Sequence, residues 1–480
     1  MLGRMRSKLK NDPSPPPQEP KFILSRQGDG LGERLNALLN AMRLANILDV
    51  DFRFTWPVGL VKDANHAIAP AEEFFSADFV AGHQVDHADT KDGFPTLAGP
   101  TDDLDSLRRQ LDAADRGLRV STRPLVTKID PDAVPAVRQG FATEFNALGF
   151  HPDIEAAITA AHAVPLGDGL VGLHLRAGDN LFGRYRTWTR HAYKAVPVPV
   201  ARAITERYQA QGREVLIFGQ DVDLIGELCS STGATDAAML RPAVDLSRPA
   251  EAVFDLVLMS RCEPIISGWS GFAIQAAAIA DKVVDNYRDV VPAIEVIDLT
   301  RADIAANGDR YSDTHRSYAW WSAYFAARHD LAYDDAVQMV TAALDADPTN
   351  PRSRLRLAAL HYHHGDMRRG NDALVDALAA DARADKTKLE SVLLFSLRTK
   401  AGFDSEEIFD DFAAGAEAGF GPATLYRASL RARLGDADGA YRDLAAFKVF
   451  VADEPRLAGL DDARTLATIE RELNRNGRPG

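Results

Sequence analysis

The sequence predicts an α/β protein of two parallel-sheet units, followed by a region built only from helices. Three observations carry this. Short apolar runs bounded by glycine or proline alternate with segments of helical spacing over residues 21–165. The same alternation returns over 166–311. After about residue 312 the strand-like runs stop, and alanine, leucine and charge dominate. With 480 residues, 46% hydrophobic and 26% charged, the composition is that of an ordinary globular chain, long enough for several domains.

The first unit opens with Phe22-Ile23-Leu24, a short apolar run that reads as a buried strand. Gln27-Gly28-Asp29-Gly30-Leu31-Gly32 then makes a flexible, glycine-rich turn. From Glu33 onward Leu35, Leu38, Leu39, Met42 and Leu48 fall near helical spacing. Phe52 and Phe54 alternate with polar residues until Trp56-Pro57 stops the next strand. Strand, turn, helix and strand make a βαβ unit.

In the second unit Leu170 to Leu175, Val215 to Phe218 and Pro264 to Ser267 read as strands, with Val283-Val284 as a last one. Val200 to Ala210, Phe254 to Met259 and Phe272 to Ala280 read as the helices between them. In the final region Ala336, Gly370 and Ala440 stand 34 and 70 residues apart, beside Gly-Asp turns at Gly365-Asp366 and Gly435-Asp436. A 34-residue helix-turn-helix period resembles the tetratricopeptide repeat, in three or four copies with a degenerate middle one. An irregular helical bundle is the alternative. The expected divisions are therefore a basic, proline-rich disordered tail over 1–20, α/β units over 21–165 and 166–311, and a helical repeat domain over 312–480.

Charge and cysteine content narrow the function. The 55 basic and 69 acidic residues leave a formal charge of −14, which argues against a general nucleic-acid binder. Two cysteines, Cys229 and Cys262, are too few for a disulfide scaffold or a multi-cysteine zinc module, and read as small apolar residues. No apolar run reaches the length of about 20 residues that spans a bilayer. Arg4, Arg6, Lys8 and Lys10 are followed by Pro13 to Pro20 rather than an apolar stretch, so no signal peptide is expected. The arm is the one feature that would bring a cytoplasmic protein to the inner membrane.

Three segments could carry chemistry. Gly28-x-Gly30 places Glu33 where a dinucleotide fingerprint wants a third glycine, and no Lys-Ser/Thr follows to make a P-loop. What is left is a turn at a helix N-terminus, where backbone N–H groups can meet an anion. His174-Leu175-Arg176-Ala177-Gly178-Asp179 ends a strand, and ligands of open α/β sheets bind beyond the carboxyl ends of strands. Arginine suits phosphate oxygens there, and Asp179 could orient it. Ser267-Gly268-Trp269-Ser270-Gly271-Phe272 is again strand, small-residue turn and helix, open to a phosphate or simply capped by its serine. Asp221-Val222-Asp223 follows a strand as in metal-dependent transferases, but Asp-x-Asp is common in this aspartate-rich chain. His83 and His87 stand one helical turn apart without the glutamate of a zinc protease motif. His361, His363 and His364 read as surface residues.

Taken in order, Gly30-Leu31-Gly32-x-Arg34-Leu35-Asn36-Ala37-Leu38-Leu39, His174-x-Arg176-x-Gly178-Asp179, Phe218-Gly219-Gln220-Asp221, Asp255-Leu256-x-Leu258-Met259-Ser260-x-Cys262 and Ser267-Gly-x-Ser270-Gly271-Phe272 resemble the α-1,2/α-1,6/protein O-fucosyltransferase superfamily over about residues 22–290. The resemblance implies a GT-B-like pair of Rossmann-like domains, acceptor-side then nucleotide-sugar-side, with the active site in the cleft. It implies inverting, metal-independent transfer of fucose from GDP-fucose or another GDP-sugar, with no other cofactor. Arg176 would hold the donor diphosphate and stabilise the leaving GDP. Gly30, Gly32, Arg34, His174, Asp179, Asp221, Ser267, Ser270, Gly271 and Phe272 would line the donor site. Beside the resemblance, Glu33 reads either as the base on the acceptor hydroxyl or as an exposed acid that the helix dipole favours in a first turn. Ala177 stands where many relatives carry a second arginine, and Glu33 where many carry asparagine.

The leading reading is a cytoplasmic, bacterial glycosyltransferase with a glycan, lipid-linked glycan or protein as acceptor. Its helical repeats would offer a surface to a partner protein or to a second copy. The second reading is a degenerate nucleotide-sugar-binding module whose repeats act as a scaffold. A dinucleotide-dependent oxidoreductase is the third, and Glu33 speaks against it.

Overall fold

The structure is a computed structural model that describes residues 20–58, 68–101, 103–183, 186, 194–243, 245–383, 405–457 and 470–471. The basic arm, the degenerate middle repeat around 384–404 and the side chain of Asp179 lie outside the described residues. The chain divides into two compact units, which meet in sequence at Pro152 and Asp153.

Unit 1 holds a three-stranded parallel sheet in the order β2-β1-β3, made of β1 (Phe22–Arg26), β2 (Asp51–Thr55) and β3 (Gly117–Val120). The βαβ unit read from the sequence is β1, α1 (Leu31–Leu48) and β2. The third strand was not legible, because four residues of sequence carry little periodicity. α1 is buried along most of its length and packs Ala41, Leu44, Ala45 and Leu48 with Ile23 of β1 and Leu118 and Val120 of β3. Each such leucine contributes about 1.5–3 kcal/mol of burial. The same helix buries Asn40 and Arg43, whose N–H groups donate to backbone carbonyls beyond β3. Asn40 Nδ2 donates to Ser121 O and Arg123 O at 2.9 and 3.0 Å. A further helix, α2 (Leu104–Ala113), is capped by Asp103, whose carboxylate accepts from Ser106 N.

Unit 2 begins with α3 (Pro152–Ala163) and holds a five-stranded parallel sheet in the order β6-β5-β4-β7-β8. Its strands are β4 (Val171–Leu175), β5 (Val215–Gly219), β6 (Thr235–Asp236), β7 (Ile265–Ser267) and β8 (Val284–Asn286). The helices between them are α4 (Val198–Ala210), α5 (Val222–Thr232), α6 (Arg248–Ser260) and α7 (Gly271–Ala278). This is the doubly wound strand order, and its switch point falls between β4 and β7. β4 is buried throughout, and its glycine has a packing reason. A Cβ on Gly172 would stand 2.9 Å from Cys262 Cβ, so the central strand takes that cysteine at close range.

From α8 (Ala293–Asn307) on, the described residues form helices and short connections. These are α9 (Asp313–Ala327), α10 (Tyr333–Ala346), α11 (Pro351–His363), α12 (Met367–Arg383), α13 (Ser405–Glu417), α14 (Gly421–Arg433) and α15 (Ala437–Asp453). The apolar core of the sheet runs on through Trp321 and Tyr324 of α9 and Met339 and Val340 of α10. A separate core begins with Leu355 and Tyr362 of α11 and reaches Phe447 of α15. Gly370 and Gly415 both lie against the Tyr362 ring, where a Cβ on either would stand 2.7 Å away. His361 is buried and bonded to Tyr333 Oη at 2.7 Å, which corrects the expectation of a surface residue; His363 and His364 are exposed. No described helix is long and apolar enough to cross a membrane.

Candidate functional site

In unit 2 two of the three segments singled out from the sequence, those after β4 and β7, meet at the switch point. Arg176 directly follows β4, and Ser270-Gly271 opens α7 directly after β7, the strand paired with β4. Two side-chain links tie these strand ends together. Ser267 Oγ donates to His174 O at 3.2 Å, and His174 Nδ1 lies 3.2 Å from the same oxygen. Both bonds form together when Nδ1 carries the ring proton, which leaves Nε2 as an acceptor. Phe272, in the first turn of α7, stacks on the His174 ring with centroids 5.7 Å apart.

His174 is 6% exposed, and burial, aided by the charge of Arg176, pushes its pKa down from 6.5 to about 3. The folded chain therefore refuses a proton that the unfolded chain accepts below pH 6.5. Stability from this group is complete above that value and is lost as the pH falls toward 3. The expected loss between pH 7 and pH 5 is about 2 kcal/mol. Urea unfolding of wild type and His174→Gln at both pH values measures it. Equal pH slopes in the two proteins would show that the ring titrates normally.

Ser270 occupies the N-cap position of α7, where a serine ordinarily accepts from a helix N–H. It does not do so here. Its hydroxyl is buried, the residue 2% exposed, and Oγ has no hydrogen-bond partner. An unmet buried hydroxyl at a helix N-terminus costs about 1–3 kcal/mol. Past Arg176 the backbone turns at Gly178, whose φ of 49° lies in the left-handed region that favours glycine.

Asp221 has partners of its own. Oδ1 accepts from Leu224 N and caps α5, while Oδ2 lies 3.0 Å from Nε2 of His315 on α9. Burial works against its carboxylate, but the His315 contact and the cap hold its pKa below the ordinary range. The Asp-x-Asp spacing thus marks a helix start.

A cavity of about 660 Å³ opens beside the β7–α7 turn. Gly268, Trp269, Ile274, Asn286, Arg288 and Phe325 are among its walls, whereas Arg176, His174 and Ser270 do not line it. Trp269 is 67% exposed, unusual for so large an apolar side chain.

In unit 1 the glycine turn is held rather than flexible. Arg34 Nε donates to Asp29 O at 2.7 Å, and Nη2 donates to Gly28 O and Pro57 O at 3.0 and 2.7 Å. The guanidinium lies over Trp56, and Nη1 is buried without a partner. Burial lowers the Arg34 pKa to about 10 against the pull of Asp29. Gly30 caps α1 in extended conformation with open space where a Cβ would stand, so neither its φ nor a neighbour demands glycine. Gly32 is buried and Glu33 half-buried in the first turn.

His83 and His87 do not share a helical face, because the helix over Ala77–His83 ends at Gln84. His83 stacks on Phe52, and His87 Nδ1 lies 3.0 Å from Thr55 Oγ1 at the end of β2. Sequence reasoning weighed this second histidine only as a metal ligand beside His83, and passed over Arg26 and Thr55. An irregular loop gives no spacing that would connect them.

No family model matches the chain, and none of the curated proteins does. Among solved structures the chain is similar to the fucosyltransferase NodZ from Bradyrhizobium, at 15% identity and a TM-score of 0.32 over 54% of this chain and 92% of that one. It is also similar to POFUT1 in complex with GDP-fucose, at 11% identity and a TM-score of 0.31 over 56% and 98%. At such identity side-chain chemistry is free to differ, and the likeness bears on neither substrate nor reaction.

Proposed function

We propose that the chain is a glycosyltransferase that moves a sugar, fucose by its resemblance, from a GDP-sugar to a glycan or protein hydroxyl without a metal. The observation that carries the reading is the Ser270 hydroxyl, buried and unmet at the start of α7, beside the strand that ends in Arg176. A helix N-terminus, a free hydroxyl and an arginine at one switch point make a receptor for a diphosphate. The ordered set of short motifs supports the same reading. In the reaction the acceptor oxygen bonds to the sugar C1 and gives up its proton to a base or to water, while the C1–O bond to phosphate breaks and its electron pair leaves with the diphosphate. Arg176 would meet the charge that grows there. Ser270 and the α7 N–H groups would hold the phosphates, and His174 and Ser267 would keep the two strand ends in register. The cavity beside Trp269 has the size of a small-molecule site and would hold further parts of the donor.

Calorimetry with GDP, UDP, ADP and NAD, on wild type and Arg176→Ala without added metal, tests this. Wild type is expected to select GDP. The variant is expected to bind it about 10- to 100-fold more weakly, the worth of one or two charge-assisted hydrogen bonds. Wild type that binds no nucleotide would sink the proposal.

The scaffold reading draws on the helices that follow. α10 and α12 begin 34 residues apart, at Tyr333 and Met367, which fits tetratricopeptide-like repeats that would take a partner protein or a second copy. Partner capture that survives Arg176→Ala would favour it.

A further inference from the structure

The helices that follow the sheet of unit 2 hold a cluster of buried donors that the reading above does not use. Arg352 and Arg356 stand one turn apart on α11, 2% and 4% exposed. Their guanidiniums lie over two neighbouring rings of α9. Arg352 sits 4.0 Å from the centre of Trp321 and Arg356 5.8 Å from that of Tyr324, and the two ring centres are 5.7 Å apart. Stacking meets the face of a guanidinium and leaves the N–H groups on its edge to find acceptors. Here they find none. Nε of Arg352 and Nε and Nη2 of Arg356 are buried without a partner, as are Trp321 Nε1 and the hydroxyl of the fully buried Ser353. Neither arginine side chain makes a hydrogen bond or ion pair among the described residues. The acids whose charge reaches them are engaged elsewhere: Asp347 Oδ2 lies 3.2 Å from Arg186 Nη1, and Asp411 Oδ1 lies 2.9 Å from His363 Nδ1.

Two buried like charges without a counter-charge are costly, and water can meet single N–H groups but brings no charge. Burial lowers the Arg352 pKa to about 9, with Arg186 and Arg356 adding to the effect and Tyr318 and Asp347 opposing it, so the group stays charged at neutral pH. Every unmet group in the cluster can donate, so what completes them accepts hydrogen bonds and carries negative charge. We propose that Arg352 and Arg356 form a binding site for a small oxyanion, a free phosphate or carboxylate held between α11 and α9. So little exposure at both guanidiniums selects a free small ion over a group carried on a macromolecule. The polar cavity beside Arg352, walled also by Tyr318, Asp347 and Asn350, has about 10 Å³, the room of one water. The anion therefore enters as the long arginine stems draw apart, and once bound it ties the two helices together. The site uses no residue of the donor reading and stands whether or not the chain is a transferase.

The test uses the full chain carrying Arg176→Ala as parent, so that phosphate does not report on the proposed donor site. Calorimetry and thermal unfolding are followed in sodium phosphate, acetate and chloride at equal ionic strength. Phosphate or acetate is expected to bind and to raise the melting temperature, since a ligand of the folded state alone stabilises it by mass action. Arg352→Met and Arg356→Met, each added to the parent, are expected to weaken that binding about 10- to 100-fold, the worth of one or two charge-assisted hydrogen bonds. In chloride both variants are expected to melt at or above the temperature of the parent, because methionine keeps an apolar stem and removes a buried unpaired charge. In the oxyanion that binds, the order is expected to reverse. Variants that bind the oxyanion as the parent does, or chloride that stabilises as well as the oxyanions, would overturn the site. So would a parent that binds neither phosphate nor acetate. Variants that melt below the parent in chloride would overturn it too, and would show that the arginines serve the fold through stacking alone.

Discussion

An Arg43→Met protein is expected to lose about 3–5 kcal/mol of stability in unit 1, because the substitution strands a buried carboxylate. Arg43 and Glu144 are each 5% exposed, and they meet through two contacts of 2.5 Å, Nε to Oε1 and Nη2 to Oε2. The guanidinium also donates to Ala136 O and Gln139 O at 2.8 and 2.9 Å and to Gly140 O, and it lies over Phe141. All of its hydrogen-bonding capacity is therefore used to hold the 134–146 segment against α1. Coulomb attraction at this depth is strong, but so is the cost of removing both charges from water. The pair is best judged by what happens when one partner goes. Hydrogen exchange of α1 amides measures the effect locally and avoids assuming that both units unfold together. Protection is expected to fall by about 10²- to 10⁴-fold. Arg43→Met with Glu144→Leu should recover much of the loss, though not all, since three carbonyls still lack their donor. A single variant that loses less than about 1 kcal/mol would show that Glu144 is not held charged in a dry site.

The second large effect is expected at Arg202, which stitches the sheet of unit 2 to the helices after it. From α4 it reaches Asp303 of α8 at 2.9 Å, Tyr311 Oη at 2.9 Å and Ser231 Oγ of α5 at 2.7 Å. Tyr311 in turn donates to Asp303 Oδ2 at 2.9 Å, and Asn307 Nδ2 donates to Oδ1 at 2.7 Å. Burial opposes the Arg202 charge, but Tyr311 and Asp303 outweigh it and raise its pKa. Arg202→Met leaves Asp303 charged and buried, and is expected to cost about 3–5 kcal/mol. Tyr311→Phe removes one shared hydroxyl and should cost about 1–2 kcal/mol. Urea unfolding that ranks the two the other way would mean the tyrosine, not the ion pair, holds the junction.

Much of the framework was legible without coordinates. Apolar runs beside glycine mark β1, β4, β5 and β7, because a buried parallel strand has no polar face to hide. The helix starts after Gly30 and Ser270 are equally plain, since a chain turning from strand to helix needs small residues. β3 and β6 escaped notice, at four and two residues, as did α8, whose apolar positions follow no single stripe.

The site divides along the same line. Sequence alone determined which residue types stand at strand ends: the arginine after β4, the serines around β7, the glycines before α1. Spacing along a chain is local information, and these are local facts. Only the tertiary structure decided that β4 and β7 are neighbours, that the Ser270 hydroxyl goes unmet while Asp221 is already taken by His315, and that Arg352 and Arg356 lie buried without a carboxylate partner. Those outcomes depend on strand order and on burial. Strand order is set by which faces pack together, and burial decides whether a polar group keeps water or must find a partner.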